Sequence, residues 1–357
     1  MKALSAADAA RADDRPSRRG PTIYEVAELA GVSIATVSRV QRRADLVAAP
    51  TRERVVRAIE ELDYRPSALG RFLARGSHEA TGIVFPDLAG PYYSAVILGY
   101  EEASAAEGRS VLILATHRRP DAVDQVLDLA DRVDGLVIFG RTVDDAVVEE
   151  LQRRGIPIVV LARGPVEGCD SVRAENRSAA EALVSHLIQH GHREIAFVGD
   201  PEASADAAER WYGFRTAYET VGLRPPNDPF PCAFRESDGR EAGRAILARR
   251  DRPTALVGAN DEIAMGLAEA AREAGLRIPD DIAVTGWDDI PVARHLSPPL
   301  TTVRQPMHEI GRQGAALLHE RIAESRTQPR HEVLPTELVV RSSCGCGPPI
   351  SEGGGSQ

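Results

Sequence analysis

Ala35, Ser38, Arg39 and Arg42 recur at the spacing of one helical face, in and just after the stretch TIYEVAELAGVSIATVSRV, while Val37 and Val40 fall on the opposite face. A face that is small, hydroxylated and basic suits close approach to a DNA major groove. Short side chains permit contact there, and arginines reach phosphates or guanine edges. An ordinary pair of helices with a solvated basic face satisfies the same pattern, so this stretch alone leaves both readings open. Bond-breaking chemistry is far less visible. The chain has no Gly-x-Ser-x-Gly elbow, no glycine-rich phosphate loop after its first apolar strand and no His-Glu-x-x-His pair. His190 and His192, in QHGHREIAF, flank a helix-to-strand turn and read as capping groups rather than catalysts. Cys169 and Cys232 stand alone, and Cys344-Gly-Cys346 lies in a Gly/Pro tail without a second ligand pair to complete a zinc site. The four cysteines therefore read as reduced thiols, with no metal and no cofactor expected.

The elements that would position the basic face are marked by their ends. Thr22 and Glu25 stand at capping-box spacing, and Ile23, Val26, Ala27 and Ala30 follow at i, i+3, i+4 and i+7. Gly31 can stop that helix in the left-handed conformation, and the Ser33 hydroxyl can cap a second one. Residues 51–62 predict a third helix through Val55, Val56, Ile59 and Leu62, with Pro50 in its first turn. In YRPSALGRFLARGS, Pro66 breaks the chain, and residues 67–73 allow about two helical turns, too few to persist alone. Beyond Gly76, the apolar runs TGIVF, SVLIL, GLVIF, IPIVVL, EIAFVG, TALVGA and DIAVTG alternate with helical stretches. Buried strands separated by helices imply parallel sheets, hence an α/β class, with a ligand cleft at the carboxyl ends of the strands.

Composition agrees. The chain has 357 residues, 43% of them apolar, and a net charge of −10. Residues 1–75 carry fourteen basic and ten acidic side chains, which leaves about −14 beyond them. A mildly basic head on an acidic body makes DNA affinity dependent on salt and on dimerisation. No run of about 18 apolar residues suggests a membrane span, and the first twenty residues lack the apolar core of a secretory signal. The expected location is cytoplasmic, with no membrane partner.

Together, TIYEVAELAGVSIATVSRV, TRERVVRAIEELDYRPSALGRFLA, GHREIAFVG, ANDEIAMG, IAVTGWDDIP and PPLTTVRQP resemble the LacI/GalR repressors, six fragments in that family's order and at its spacing. The resemblance implies an all-α helix-turn-helix head at 21–65 after a disordered arm at 1–20, and a hinge helix and linker at 66–76. It further implies a two-lobed core of the type-I periplasmic-binding-protein kind at 77–341 and a flexible tail at 342–357. The lobes would exchange the chain near Arg173, Pro279 and Gln305, with 77–172 and 280–305 in the first and 173–279 and 306–341 in the second. Ile34 and Ala35 match the base-reading positions. Thr22, Tyr24, Ser33, Thr36, Ser38, Arg39 and Arg42 complete the DNA-facing set of the head, and Ala68, Leu69, Gly70 and Leu73 that of the hinge, with Leu73 as a wedge between base steps.

For the ligand, the resemblance implies Arg210 and Asp261, with Asp206, Phe234 and the pair Tyr92 and Tyr93. A carboxylate accepts and a guanidinium donates, which suits sugar hydroxyls, and an aromatic ring suits the apolar face of a pyranose or a base. The alternatives are that Phe234 and one tyrosine are core, and that Arg210 merely pairs with Asp206 one turn away. The chain departs from the family at Ala162-Arg163, at Glu175-Asn176, at the VQRR after the second helix, and at Ala48, where a helix cap worth about 1 kcal/mol is missing. The expected function is a ligand-responsive repressor of carbohydrate uptake or breakdown. It would bind a near-palindromic operator as a homodimer, since the tail offers no heptads for a further coiled coil. A nucleoside, purine or phosphosugar co-repressor is the alternative. A transporter's solute-binding protein would share the core but lack the head.

Overall fold

A computed structural model describes residues 21–65, 77–117, 119–324 and 328–346. The chain divides into an amino-terminal unit ending at His78 and a carboxy-terminal unit from Glu79 onward. The arm at 1–20 and the hinge residues Ala68, Leu69, Gly70 and Leu73 lie outside the described residues, as does the side chain of Arg42.

The amino-terminal unit holds α1 (Ile23–Ala30), α2 (Ile34–Arg42) and α3 (Ala49–Glu61). Glu25 N–H donates to Thr22 Oγ1, and Thr22 N–H donates to Glu25 Oε2, so the capping box is closed on both sides. Gly31 sits at φ 63 and ψ 42 and donates to the carbonyls of Ala27 and Glu28, which ends α1. Ser33 Oγ accepts the Thr36 N–H at 3.2 Å and starts α2. Ala48 supplies no side-chain cap to α3, while Pro50 occupies its first turn. Val26, Ala27, Ala30, Val37, Val40, Val55 and Ala58 form the buried centre. Arg54 Nε donates to Ala30 O at 3.2 Å, so a charged donor from α3 caps the carbonyl end of α1.

The carboxy-terminal unit contains two α/β lobes. In the first, β1 (Ala80–Phe85), β2 (Ser110–Ala115), β3 (Leu136–Phe139), β4 (Ile158–Leu161), β5 (Asp170–Ala174) and β10 (His331–Leu334) form a parallel sheet in the order β10-β5-β4-β3-β1-β2. Helices α5 (Ala122–Ala130) and α6 (Asp145–Arg153) bury Val126, Leu129, Val148 and Leu151 on one face. On the other, α4 (Pro91–Ala106) and α11 (Met307–Ile322) bury Val96, Tyr100, Ile310 and Leu318. Those two helices touch backbone to backbone at Gly99 and Gly311, where a β-carbon would strike a main-chain carbonyl of the opposite helix.

In the second lobe, β6 (Ile195–Val198), β7 (Ala255–Gly258) and β8 (Ala283–Thr285) are parallel, and β9 (Thr302–Arg304) pairs antiparallel with β11 (Glu337–Val339). Helices α7 (Arg177–Gln189), α8 (Ala205–Thr220), α9 (Glu236–Leu247) and α10 (Asp261–Glu273) contribute Leu183, Leu187, Phe214, Ile246, Ile263 and Leu267 to its core.

Two expectations need correction. Residues 280–305 belong to the second lobe, because β8 is the strand that covers the free edge of β7, and Trp287, Leu300 and Val303 fill that lobe's core. Conversely, α11 and β10 belong to the first lobe, where β10 pairs with β5. The chain therefore crosses near residues 175, 305 and 335, and not near Pro279. The tail is also ordered further than expected. Ser342–Cys344 forms a short 3-10 turn, and Ser343 and Cys344 are buried, with Ser343 Oγ donating to Val284 O and accepting from Thr301 N–H.

Candidate DNA interface and effector cleft

On α2, Ser33, Ile34, Ala35 and Arg39 face solvent and Thr36 and Ser38 are half-buried, while Val37 and Val40 are buried under α1 and α3. The 3.6-residue period thus delivers a largely polar outer face with one large apolar residue, Ile34, and the small Ala35 on it. On α1, Tyr24 is 69% exposed, although a domain this small has every reason to bury an aromatic ring. Thr22 is exposed beside it, its hydroxyl held by Glu25 Oε2 at 2.9 Å. Short side chains, two hydroxyls, an arginine and an exposed Tyr–Ile pair form a surface that can enter a groove and read base edges by contact.

Between the two lobes of the core lies a cavity of about 660 Å³. It opens where β1, β3, β4, β6 and β7 end, and its walls include Tyr92, Tyr93, Asp206, Arg210, Phe234, Asn260, Asp288 and Gln305. Arg210 is 4% exposed, and its polar atoms are held rigidly: Nε donates to Asn176 Oδ1 at 2.8 Å and Nη1 to Ala259 O at 2.7 Å. Its guanidinium lies 4.5 Å from the centre of the Trp287 ring, and Asp206 Oδ2 is 3.8 Å from Nη2. Asp206 also accepts from Asn176 Nδ2 at 3.2 Å. Burial pushes the Asp206 carboxyl up to about 6, against the opposing pull of Arg210.

Asp288 lies at φ 114, a left-handed conformation that costs a non-glycine residue energy, and its side chain lines the cleft. Burial raises its proton affinity well above the carboxylate range, Arg210 opposes this, and the nearby Asp261 adds to it. Gln305 Nε2 donates to Asp288 Oδ1, while Gln305 Oε1 is buried with no partner among the described residues. From the first lobe, Tyr92 comes close enough to Asp206 and Asp288 that their charges, after burial itself, raise its hydroxyl pKa. Tyr92, Tyr93, Phe85 and Phe139 form an edge-to-face cluster with centroids 5.4–5.7 Å apart, so both tyrosines are at once core and cleft wall. At the rim, Arg235 Nη2 donates to Asp87 Oδ2 at 2.8 Å across the lobes.

Asp261 does not line the cleft. It is fully buried at the start of α10, where Oδ1 accepts from Thr302 Oγ1 at 2.6 Å and Oδ2 accepts from Ile290 N–H at 2.9 Å. Its carboxylate thus stitches α10 to the loop after β8. Its neighbour Asn260 lines the cavity instead, with Oδ1 capping α10 through Ile263 N–H. Reading the sequence missed Asp288, Asn260, Asn176 and Gln305. The signal for Asp288 was present in GWDDIP, a pair of acids immediately after a parallel strand. Arg163, one of the departures from the family pattern, turns away to Asp145 and Gly140 O, whereas Ala162, at φ 53, lines the cavity. Glu175 caps α7 through the N–H groups of Ser178 and Ala179.

The family model described as bacterial regulatory proteins, lacI family, matches residues 22–67, and one described as a periplasmic binding protein-like domain matches residues 184–344. An HTH-type transcriptional repressor PurR of Histophilus somni (strain 129Pt) is 34% identical over 329 residues, which span 90% of this chain and 98% of the relative. The chain belongs to the LacI family. A lac repressor dimer bound to operator and the anti-inducer ONPF superposes on 91% of this LacI-family chain and 99% of its own, at TM-score 0.80 and 29% identity. A transcriptional regulator CelR in complex with cellobiose superposes on 90% of this chain and 99% of its own, at TM-score 0.70 and 32% identity. Like other members of its family, this protein is a DNA-binding transcriptional repressor that answers to a small molecule. No helix among the described residues is long and apolar enough to cross a membrane.

Proposed function

We propose that the chain represses genes of carbohydrate uptake or breakdown from the cytoplasm, as a homodimer on a near-palindromic operator, and that its effector is an uncharged sugar. One observation carries the effector class. Asp206 and Asp288 face the cleft together, and the buried guanidinium beside them, Arg210, is already engaged by Asn176, Ala259 O and Trp287. Hydroxyl groups can donate to Asp206, can both donate to and accept from Asp288 with its raised proton affinity, and can donate to the unpartnered Gln305 Oε1 in the same wall. A phosphosugar would bring negative charge toward two acidic side chains whose nearest buried cation, Arg210, is already engaged. The volume falls in the range of ordinary small-molecule sites and admits a mono- or disaccharide. The structure of a CelR regulator in complex with cellobiose supports the same class.

A thermal-shift screen of neutral mono- and disaccharides, purines, nucleosides and sugar phosphates tests the reading. A neutral sugar at 100 times its dissociation constant should add about 2.7 kcal/mol, visible as a raised melting temperature. If only a purine or nucleoside gives the shift, the sugar reading is wrong. Sedimentation at micromolar concentration should give a dimer, and a stable tetramer would overturn that part.

A further inference from the structure

The fold brings four metal-binding side chains together on the second lobe, none of them among the cleft-lining residues. His186 and His190 are four residues apart at the end of α7, so they share a face, and their ring centroids are 4.6 Å apart. Cys344 and Cys346 arrive from about 160 residues further along the chain. His186 Nε2 lies 3.3 Å from Cys344 Sγ and 3.4 Å from Cys346 Sγ, and His190 Nε2 lies 3.1 Å from Cys346 Sγ. His186, His190 and Cys346 offer ligand atoms that all fall within 4.8 Å of one another. Gly345, at φ 95, makes the turn that turns both thiols toward the same helix.

We propose that His186, His190, Cys344 and Cys346 bind one zinc ion, a structural site that fastens the carboxy-terminal turn to the end of α7. A tetrahedral zinc with Zn–N of about 2.0–2.1 Å and Zn–S of about 2.3 Å has N···S edges of about 3.6 Å. The three observed N···S separations are a few tenths of an ångström short of that, so His186, His190 and Cys346 need little movement to admit the ion, while Cys344, which is 3.3 Å from His186 but outside the three-residue group, must shift toward it. Two imidazoles and two thiolates complete a closed four-coordinate set with no position left for substrate, which is the pattern of a structural and not a catalytic zinc. Each thiol gives its proton to solvent as the Zn–S bond forms, and no redox partner is required. Cys344 is buried in the lobe's core and accepts from Thr301 Oγ1 at 3.1 Å, so one ligand is pre-positioned. Half-buried Cys346 and exposed His190 complete the set.

The test uses the full chain, purified without a polyhistidine tag in reducing buffer, reconstituted with zinc and desalted. Mass-spectrometric metal analysis should return zinc equimolar with protein. The variants Cys346→Ser and His190→Gln, singly and combined as a double variant, change one half-buried and one exposed residue and should retain the circular dichroism of the folded protein while losing most of the zinc. Cobalt in place of zinc should give a thiolate-to-cobalt charge-transfer band that Cys346→Ser weakens. A strong chelator should lower the melting temperature of the wild type and leave that of the double variant unchanged. Wild type that stays metal-free after reconstitution, zinc content equal in wild type and the double variant, or a Cys344–Cys346 disulfide under these reducing conditions would each overturn the site.

Discussion

Asp261 and Asp288 are chemically identical and lie in one lobe, yet their surroundings give them opposite tasks. Asp261 is saturated by the protein itself, so Asp261→Ala leaves Ile290 N–H and Thr302 Oγ1 buried without an acceptor. Each such group costs about 1–3 kcal/mol, so chemical denaturation should show a clear loss of stability, while the folded fraction keeps its effector affinity. Asp288→Ala should do the reverse, weakening effector binding at least tenfold, about 1.4 kcal/mol, by calorimetric titration with operator affinity intact. Asp206 adds a pH dependence. Its folded-state value of about 6 stands above the ordinary 3.8, because burial outweighs Arg210. Protonated Asp206 therefore stabilises the fold fully below about pH 4, and that contribution is lost as pH rises through about 6. Effector affinity should run the other way, falling by up to tenfold per unit below about pH 6, as the acceptor is protonated. Asp206→Asn should flatten that slope in titrations between pH 5 and 7.5.

Among the elements, α2 and the crossing of α4 with α11 answer to different constraints. The outer face of α2 is free of packing duty, so replacing Ile34 or Ala35 should re-rank operators in a randomised-site selection without unfolding the head. Arg39→Ala should weaken all operators about equally, and should lower the salt slope by about one if its contact is a phosphate. An unchanged consensus after both Ile34 and Ala35 are replaced would remove α2 from the groove. At Gly311 the neighbour is the main-chain carbonyl of Val96, which cannot swing aside as a side chain would. Gly311→Ala should therefore separate the helices and cost about 1–3 kcal/mol in denaturant unfolding, despite alanine's better helix propensity.

For the molecule as a whole, the relevant quantity is the difference in free energy between open and closed cores. On the proposed reading, a ligand held by Asp206 and Asp288 on one lobe and Tyr92 on the other would favour closure, and only such a difference in affinity can reach the operator. The Asp87–Arg235 pair spans the same gap at 2.8 Å, with its arginine 63% exposed. Exposed pairs contribute about 0.2–1 kcal/mol. Asp87→Ala should thus shift the effector response to higher concentration by no more than about fivefold, and leave effector-free operator binding unchanged in gel-shift titrations. A complete loss of response would mean that Asp87 touches the ligand itself.

What the sequence determined by itself is local. The capping box, Gly31, the Ser33 cap and the inward Val37 and Val40 all follow from contacts within a few residues, and strand-helix alternation announced parallel sheets in the same way. Arg210, Asp206 and the tyrosines were legible as cleft residues through resemblance and polar chemistry. Tertiary structure decided what depends on chain segments meeting from far apart. It placed β8 against β7, turned Asp261 into the lobe's core and Asp288 toward the cleft, and set His186 and His190 beside two cysteines about 160 residues away. Side-chain direction at a strand's end is set by backbone torsion and by the neighbours available to satisfy each polar atom, and neither is written in the periodicity of a one-dimensional sequence.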